Sequence, residues 1–528
     1  MSKPLRLAWI ALLALAPGAD AQDTVGQSRI LGSDEAQVFL QAFEAIRRLH
    51  PSGASDSALW VGALEGLVEQ IDDPYATVFT PTEYAQFQEG ASGKYAGIGV
   101  QIARLAARVT VIAVFRDTPA ERAGMLVGDR IVWVEGHDAT DWSVDQARDS
   151  IRGEVGTVVR IRVERNGLLG QIPMELTRDS VHVPSLAATW VDSDVAYFGI
   201  DRIARGSTTE VANALSEFAD AGALILDLRQ NPGGYLDEAL GIVDLFLAPG
   251  QLLAGAEGRN EWGEVKTEAW FARSPSRMES TPIVVLVDEF TASAAEIISG
   301  ALQDHDRAVV VGSRTFGKGA VQSIHPLPAG RWIRLTTGSW ITPLGRSLHR
   351  PRNRNGEPKE VDESAMGSVT TGAGRELGTG GGVVPDIAIK RDTLPEEGLD
   401  LLYNHAIEVQ VPLGIRIREY ALGLAATAMA AGSVERLPSS AFDGLVDTLV
   451  AEGMDSAILG DPAARDYLDW RAQVRYLDRA EARGLALLVL AERDRALAEA
   501  LRLARSASTP DELFALAEAA AEPAEEGG

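Results

Sequence analysis

Two residues of this chain, Ser293 and Lys318, can form a nucleophile–base pair. Ser293 lies in Thr291-Ala292-Ser293-Ala294-Ala295-Glu296, a turn of small residues that follows the apolar run Ile283-Val284-Val285-Leu286-Val287. Lys318 lies in Phe316-Gly317-Lys318-Gly319, shortly after Val309-Val310-Val311. Runs of this kind read as strands buried on both faces. A lysine takes a proton from serine only as the neutral amine, and a free lysine has a pKa of about 10.4, so the chemistry requires a buried site. No acid lies in the turn around Lys318. Gln322, four residues on, offers a side-chain oxygen that orients the amine without adding charge.

Each of these residues also has a plainer reading. Ser293-Ala294-Ala295-Glu296 fits a capping box, Lys318 fits a solvated turn, and Gln322 fits a surface strand. A third segment weighs against them: Leu224-Ile225-Leu226-Asp227-Leu228-Arg229-Gln230-Asn231-Pro232-Gly233-Gly234. Glycines let backbone N–H groups approach a ligand closely. Gly233 or Gly234, with Ala294 at the start of the next helix, can supply the donors of an oxyanion hole. Three loops then follow three buried strands, at the carboxyl ends where α/β sheets bind ligands. A histidine triad competes poorly. The chain has seven histidines but no Gly-x-Ser-x-Gly elbow, and His305 follows Ser293 along one helix. There is no His-Glu-x-x-His and no cysteine, so the sequence implies no metal and no cofactor.

In combination these motifs resemble the carboxyl-terminal processing proteases, also called tail-specific proteases. The likeness rests on Leu228 to Gly234, on Thr291 to Glu296, and on Phe316 to Gly319 with Gln322, and it runs from about Phe39 to about Ile387. It implies a Ser293-Lys318-Gln322 triad in a crotonase/ClpP-like α/β core. It also implies a PDZ domain, which Lys94 to Thr177 would form. Tyr95-Ala96-Gly97-Ile98-Gly99-Val100 resembles the carboxylate-binding loop of PDZ domains, and Thr118 to Ile131 resembles their short helix and following strand. Gly97, Ile98, Gly99 and Val100 would hold a peptide's terminal carboxylate by backbone N–H groups, with the adjoining strand edge pairing to the peptide. Arg152 reads two ways, as a sensor of the occupied groove or as the partner of a neighbouring acid. The substrates implied are proteins or peptides with unstructured C-termini.

The remaining sequence sets the organisation. At 528 residues the chain holds several domains, and 46% hydrophobic residues suffice for real cores. The expected class is α+β, multidomain. Residues 1–21 read as a signal peptide, with Lys3 and Arg6 before an apolar core and Ala19-Asp20-Ala21 as the cleavage site, which points to the periplasm or secretion. That apolar core is short for a membrane anchor. Residues 33–90 read as helical, 94–177 as the PDZ domain and 185–395 as the protease core. Within the core, 350–380 reads as a flexible Gly-rich insertion. Residues 399–521 read as helical, with Arg483 to Ala507 as one long amphipathic helix, and 522–528 as an acidic tail. The C-terminal helices suit packing on the protease; a homodimer or adaptor surface is the sharper alternative. A formal charge of −26 argues against nucleic acid as a partner. Two other functions remain open at this point: a non-catalytic PDZ scaffold built on a protease fold, and a crotonase-like acyl-CoA enzyme. Neither accounts for the serine, the lysine and the glycine pair together with the PDZ module.

Overall fold

The computed structural model describes residues 32–51, 53, 55–105, 107–115, 117–165, 168–259, 263–359, 367–390 and 399–521. The segments read as an export signal and as an acidic tail lie outside these residues. The chain divides into two compact units, residues 1–78 and 79–528. In the first, helices α1 (Asp34–Leu49) and α2 (Asp56–Glu69) each start at a serine whose hydroxyl accepts a backbone N–H, Ser33 and Ser55. They meet through Phe43 and Trp60, whose ring centroids are 4.4 Å apart.

The second unit opens with α3 (Pro81–Ser92), which begins with a capping box formed by Thr80 and Glu83. Strand β1 (Lys94–Gly97) follows, then β2 (Val100–Leu105) and β3 (Arg108–Val114). Next come the short α4 (Pro119–Arg122), β4 (Arg130–Val134), β5 (His137–Asp138) and α5 (Val144–Ile151). β6 (Val158–Glu164), β7 (Gln171–Thr177) and β8 (Asp179–His182) end this part. The sheet runs in the order β2-β3-β4-β6-β7, with β5 paired to β4, while β1 pairs separately with β8. Val109, Val111, Ile131, Ile161 and Val163 fill its core.

The protease-like part is built on β9 (Leu186–Trp190), β10 (Val195–Ile200) and β11 (Ala223–Asp227). Two helices follow, α6 (Ser207–Glu217) between β10 and β11 and α7 (Leu236–Asp244) after β11. A hairpin of β12 (Leu252–Arg259) and β13 (Val265–Phe271) precedes β14 (Ile283–Val287), α8 (Ala294–Asp304) and β15 (Val309–Gly312). β16 (Ala320–Leu327), β17 (Arg331–Ile341), the hairpin β18 (Ser368–Thr370) and β19 (Glu376–Gly378), and β20 (Ile387–Ala388) complete it. The main sheet has the order β9-β10-β11-β14-β15-β20. β9 pairs with β10 antiparallel and the other neighbours are parallel. Parallel strands need cover on both faces. Phe198, Leu224, Leu226, Val285 and Val287 pack on one side with α6, α7 and α8. Val195, Ile225, Val284, Leu286 and Val311 face the other side.

The C-terminal region covers that second side. Its helices are α9 (Asp400–Glu408), α10 (Leu413–Ala431), α11 (Asp443–Ala451), α12 (Ser456–Leu459), α13 (Pro462–Arg479), α14 (Arg483–Ala491), α15 (Arg495–Ser506) and α16 (Pro510–Ala521). Leu497, Ala500, Leu501 and Ala504 of α15 and Leu513 and Ala517 of α16 pack onto the sheet.

Two expectations change here. The single helix from Arg483 to Ala507 is two helices. Asp494 leaves helical geometry (φ −100°, ψ 93°) and its side chain accepts the Leu497 N–H, starting α15 afresh. No glycine or proline marks that break. The stretch expected to be a flexible insertion carries the β18–β19 hairpin, pinned by Arg375. The Arg375 guanidinium pairs with Asp306 at 2.8 Å and Asp386 at 2.6 Å, and it donates to the Gln303 carbonyl at 2.7 Å. Residues 360–366 of that stretch are outside those described.

Candidate active site

The loops after β11 and β14 are knitted into one unit. The Asp288 carboxylate accepts the N–H groups of Gln230, Phe290 and Thr291, each at 3.0 Å. The Thr291 hydroxyl donates to the Leu228 carbonyl at 2.9 Å, and the Ala292 N–H donates to the Asn231 carbonyl at 2.9 Å. This network delivers Ser293 with φ +56° and ψ −119°. A non-glycine residue held there stores about 1–3 kcal/mol of strain. It is a sharp strand-to-helix elbow made without the elbow's usual glycines. Ser293 and Glu296 close a capping box: the Glu296 carboxylate accepts the Ser293 N–H at 2.8 Å, and the Glu296 N–H goes to the Ser293 carbonyl at 2.8 Å.

Glu296 does more than the capping box suggested. It is fully buried. Its Oε2 accepts the N–H of Ser293 at 2.8 Å and the N–H of Lys318 at 2.7 Å. Its Oε1 accepts the N–H of Gly317 at 2.7 Å and the Thr315 hydroxyl at 2.5 Å. The backbones of Ser293 and Lys318 thus meet on a single oxygen. Burial pushes this carboxyl above the ordinary glutamate range, against the four donors that pull it down. Lys318 Nζ donates to Gln322 Oε1 at 3.0 Å. The ladder between β16 and β17 shifts register between Val321 and Gln322, which re-aims the glutamine. The Trp340 indole donates to the Lys318 carbonyl at 3.1 Å and fixes the turn from behind. Glu296→Gln places an amide N–H₂ against these donors. We expect kcat to fall about 100-fold and stability to fall by about 1–3 kcal/mol. Cleavage kinetics and denaturant titration check both, and an unchanged kcat would remove the carboxylate as the brace.

Gly233 and Gly234 sit against the serine turn. A Cβ on Gly233 (φ +92°) would lie 2.6 Å from the Ala292 oxygen and 2.8 Å from the Ala294 nitrogen. One on Gly234 (φ +152°) would lie 1.9 Å from the Ile203 oxygen. The two are not equivalent as donors. The Gly233 N–H is committed to Oδ1 of the buried Asn231 at 2.8 Å. Among the described residues nothing accepts the N–H of Gly234 or of Ala294. His305 ends α8, at the far end of the helix from Ser293, with its ring on the Leu252 carbonyl at 2.7 Å.

The Gly97–Val100 loop joins β1 to β2. Gly99 has φ +88° and leaves no room for a Cβ, which would meet the Thr118 side chain at 2.2 Å. Ile98 is buried, and its carbonyl accepts the Ala120 N–H at 2.8 Å, while the Gly99 carbonyl accepts the Phe115 N–H at 2.9 Å. Arg152, at the end of α5, pairs with Glu89 at 2.6 Å and stacks 4.8 Å from the Tyr95 ring centroid.

The sequence profile of peptidase family S41 matches residues 194–353, and that of a PDZ domain matches residues 110–165. The carboxy-terminal processing protease CtpA of Bacillus subtilis (strain 168) is 31% identical over 66% of this chain and 76% of its own length. The carboxyl-terminal-processing protease of Synechocystis sp. (strain PCC 6803) is 33% identical over 54% of this chain and 68% of its own. The carboxy-terminal-processing protease of Bartonella bacilliformis is 29% identical over 59% of this chain and 71% of its own. A PDZ domain joined to an S41 core defines a serine-type peptidase. Within that class the chain belongs to the carboxy-terminal processing proteases.

Proposed function

We propose that this peptidase is an exported endopeptidase that cuts proteins at or near unstructured C-terminal tails, with Ser293 as nucleophile, Lys318 as base and Gln322 orienting the lysine. The observation that carries this reading is the shared Glu296 oxygen, which binds the backbone of Ser293 and that of Lys318 together. The Lys318–Gln322 contact supports it further. Ser293 Oγ attacks the scissile carbonyl carbon and its proton passes to neutral Lys318 Nζ. The carbonyl oxygen becomes the oxyanion, received by the N–H groups of Gly234 and Ala294, with Gly233 holding the loop against the serine turn. Collapse breaks the C–N bond, and Lys318 returns the proton to the leaving amine. Water then enters and gives a proton to Lys318 as its oxygen attacks the acyl carbon; the ester bond to Ser293 Oγ breaks, and Lys318 returns the proton to that oxygen. Export rests on the N-terminal segment, Lys3 to Ala21.

The Gly97–Val100 loop is the reading's substrate filter. Its N–H groups suit a terminal carboxylate, and its aliphatic residues suit a small apolar last side chain. An unfolded protein ending in Ala or Val should be cleaved about tenfold faster than the same chain amidated at its C-terminus, since a hydrogen bond to a charged group contributes about 1.5–3 kcal/mol. Gel-based rates on the matched pair test this. Equal rates would mean that the enzyme does not read the C-terminus.

A further inference from the structure

Arg229 ties the loop that carries Gly233 and Gly234 to a residue 265 positions away. Its guanidinium donates to Asp494 Oδ2 at 2.7 Å and to Asp227 Oδ2 at 2.6 Å. The Tyr197 hydroxyl donates to the same Asp227 oxygen at 2.7 Å. The side chains are largely shielded: 20% exposed for Arg229, 21% for Asp494 and 8% for Asp227. An ion pair so placed is far less screened than a surface pair, and Asp227 remains a carboxylate partner of Arg229 whatever stands at position 494.

Both ends of this link are anchored. Asp494 Oδ1 accepts the Leu497 N–H at 3.0 Å, which seats it at the start of α15, and α15 packs on the main sheet. At the other end, the Arg229 N–H donates to Asp227 Oδ1 at 3.0 Å. The next residue, Gln230, is left-handed with φ +61°, and its N–H goes to Asp288. Asn231 follows, and its side chain takes the Gly233 N–H. The guanidinium thus stands at the root of the glycine loop. Beside it lies a cavity of about 760 Å³, lined in part by Tyr197, Asp288, Ser313, Trp470 and Asp494. On that side ion pairing, rather than close packing, directs the Arg229 side chain.

We infer that Asp494, in the C-terminal helical region, is a positioning residue for the active site: through Arg229 it holds the Asn231–Gly234 loop in register with Ser293. Asp494 lies outside the residues that match the S41 profile, 194–353. The C-terminal helices are then part of the catalytic apparatus as well as cover for the sheet. This inference rests on the proposed use of the Gly234 N–H at the oxyanion.

Asp494→Asn in the full chain separates the two jobs of the residue, because asparagine caps a helix as well as aspartate but carries no charge. The expected result is a fall in kcat of about tenfold, with KM changed less than about twofold. The inhibition constant of a peptide aldehyde, which forms a tetrahedral adduct on the serine, should rise by the same factor. The thermal midpoint should stay near that of the wild type, and Asp494→Glu should recover most of the rate. A wild-type kcat in Asp494→Asn overturns the inference. So does a loss confined to KM, or one accompanied by a matching fall in the thermal midpoint. Ser293→Ala runs alongside as the control. If it still cleaves, the proposed mechanism is wrong; if it is dead while Asp494→Asn keeps full kcat, only the role of Asp494 falls.

Discussion

Ser293→Ala is expected to lower kcat by at least about 10⁴-fold, because removing a serine nucleophile leaves only binding and oxyanion stabilisation. The same variant should unfold within about 0.5 kcal/mol of the wild type. An N-cap hydroxyl would be worth about 1 kcal/mol, but the hydrogen bond that holds the turn runs from the Ser293 backbone N–H to the Glu296 carboxylate, and alanine retains it. Ser293→Gly extends the test. It is equally without a nucleophile, yet glycine tolerates φ +56°, so it should be more stable than Ser293→Ala by about 1 kcal/mol. Cleavage of an unfolded substrate and urea titration of the three proteins check these expectations. Retained cleavage in either variant would remove Ser293 from the mechanism. Equal stability of the alanine and glycine variants would mean that the elbow carries no strain.

The sequence exposed the parts of this site but not the way they are joined. The apolar runs at 224–226, 283–287 and 309–311 are legible as buried parallel strands because both faces need cover, and the structure has them side by side. The glycines at 233 and 234 are legible as close-approach positions, and a Cβ fits at neither. What stayed hidden is the wiring through buried polar groups. Glu296 reads as one half of a capping box, a surface motif, and nothing local says that its carboxylate is fully buried and braces a lysine turn 22 residues on. The choice between Gly233 and Gly234 depends on where the Asn231 side chain points, which is a rotamer and not a pattern. The break before α15 was missed for a related reason. Asp494 sits in Glu492-Arg493-Asp494-Arg495, a charged stretch that helix periodicity accommodates; α14 ends at Ala491, and the Asp494 carboxylate, shared between the Leu497 N–H and Arg229, starts α15. Long-range partners decide each of these cases, and a single sequence does not contain the distances.

Lys318→Arg is expected to be as inactive as a deletion of the lysine side chain, with kcat down at least about 10³-fold, since a guanidinium stays charged at any working pH and cannot take the serine proton. The substitution keeps what the rest of the site asks of this position. The N–H to Glu296 and the carbonyl that accepts the Trp340 indole are backbone groups, so the turn should hold. The loss is therefore chemical, and circular dichroism together with a wild-type thermal midpoint should show an intact fold. In the wild type, kcat should rise toward alkaline pH as more of the lysine is neutral, and Lys318→Arg should show no such rise. Gln322→Ala should be milder, about tenfold in kcat. It removes an oxygen 3.0 Å from Lys318 Nζ but leaves the lysine and its backbone seat in place. A Lys318→Arg enzyme that kept wild-type activity would show that the proton leaves Ser293 by another route. Activity that instead titrated near pH 6.5, the ordinary histidine range, and disappeared on replacing His305 would move the base to the far end of α8. The structure speaks against that, because the His305 ring is already spent on Gln251 and on the Leu252 carbonyl.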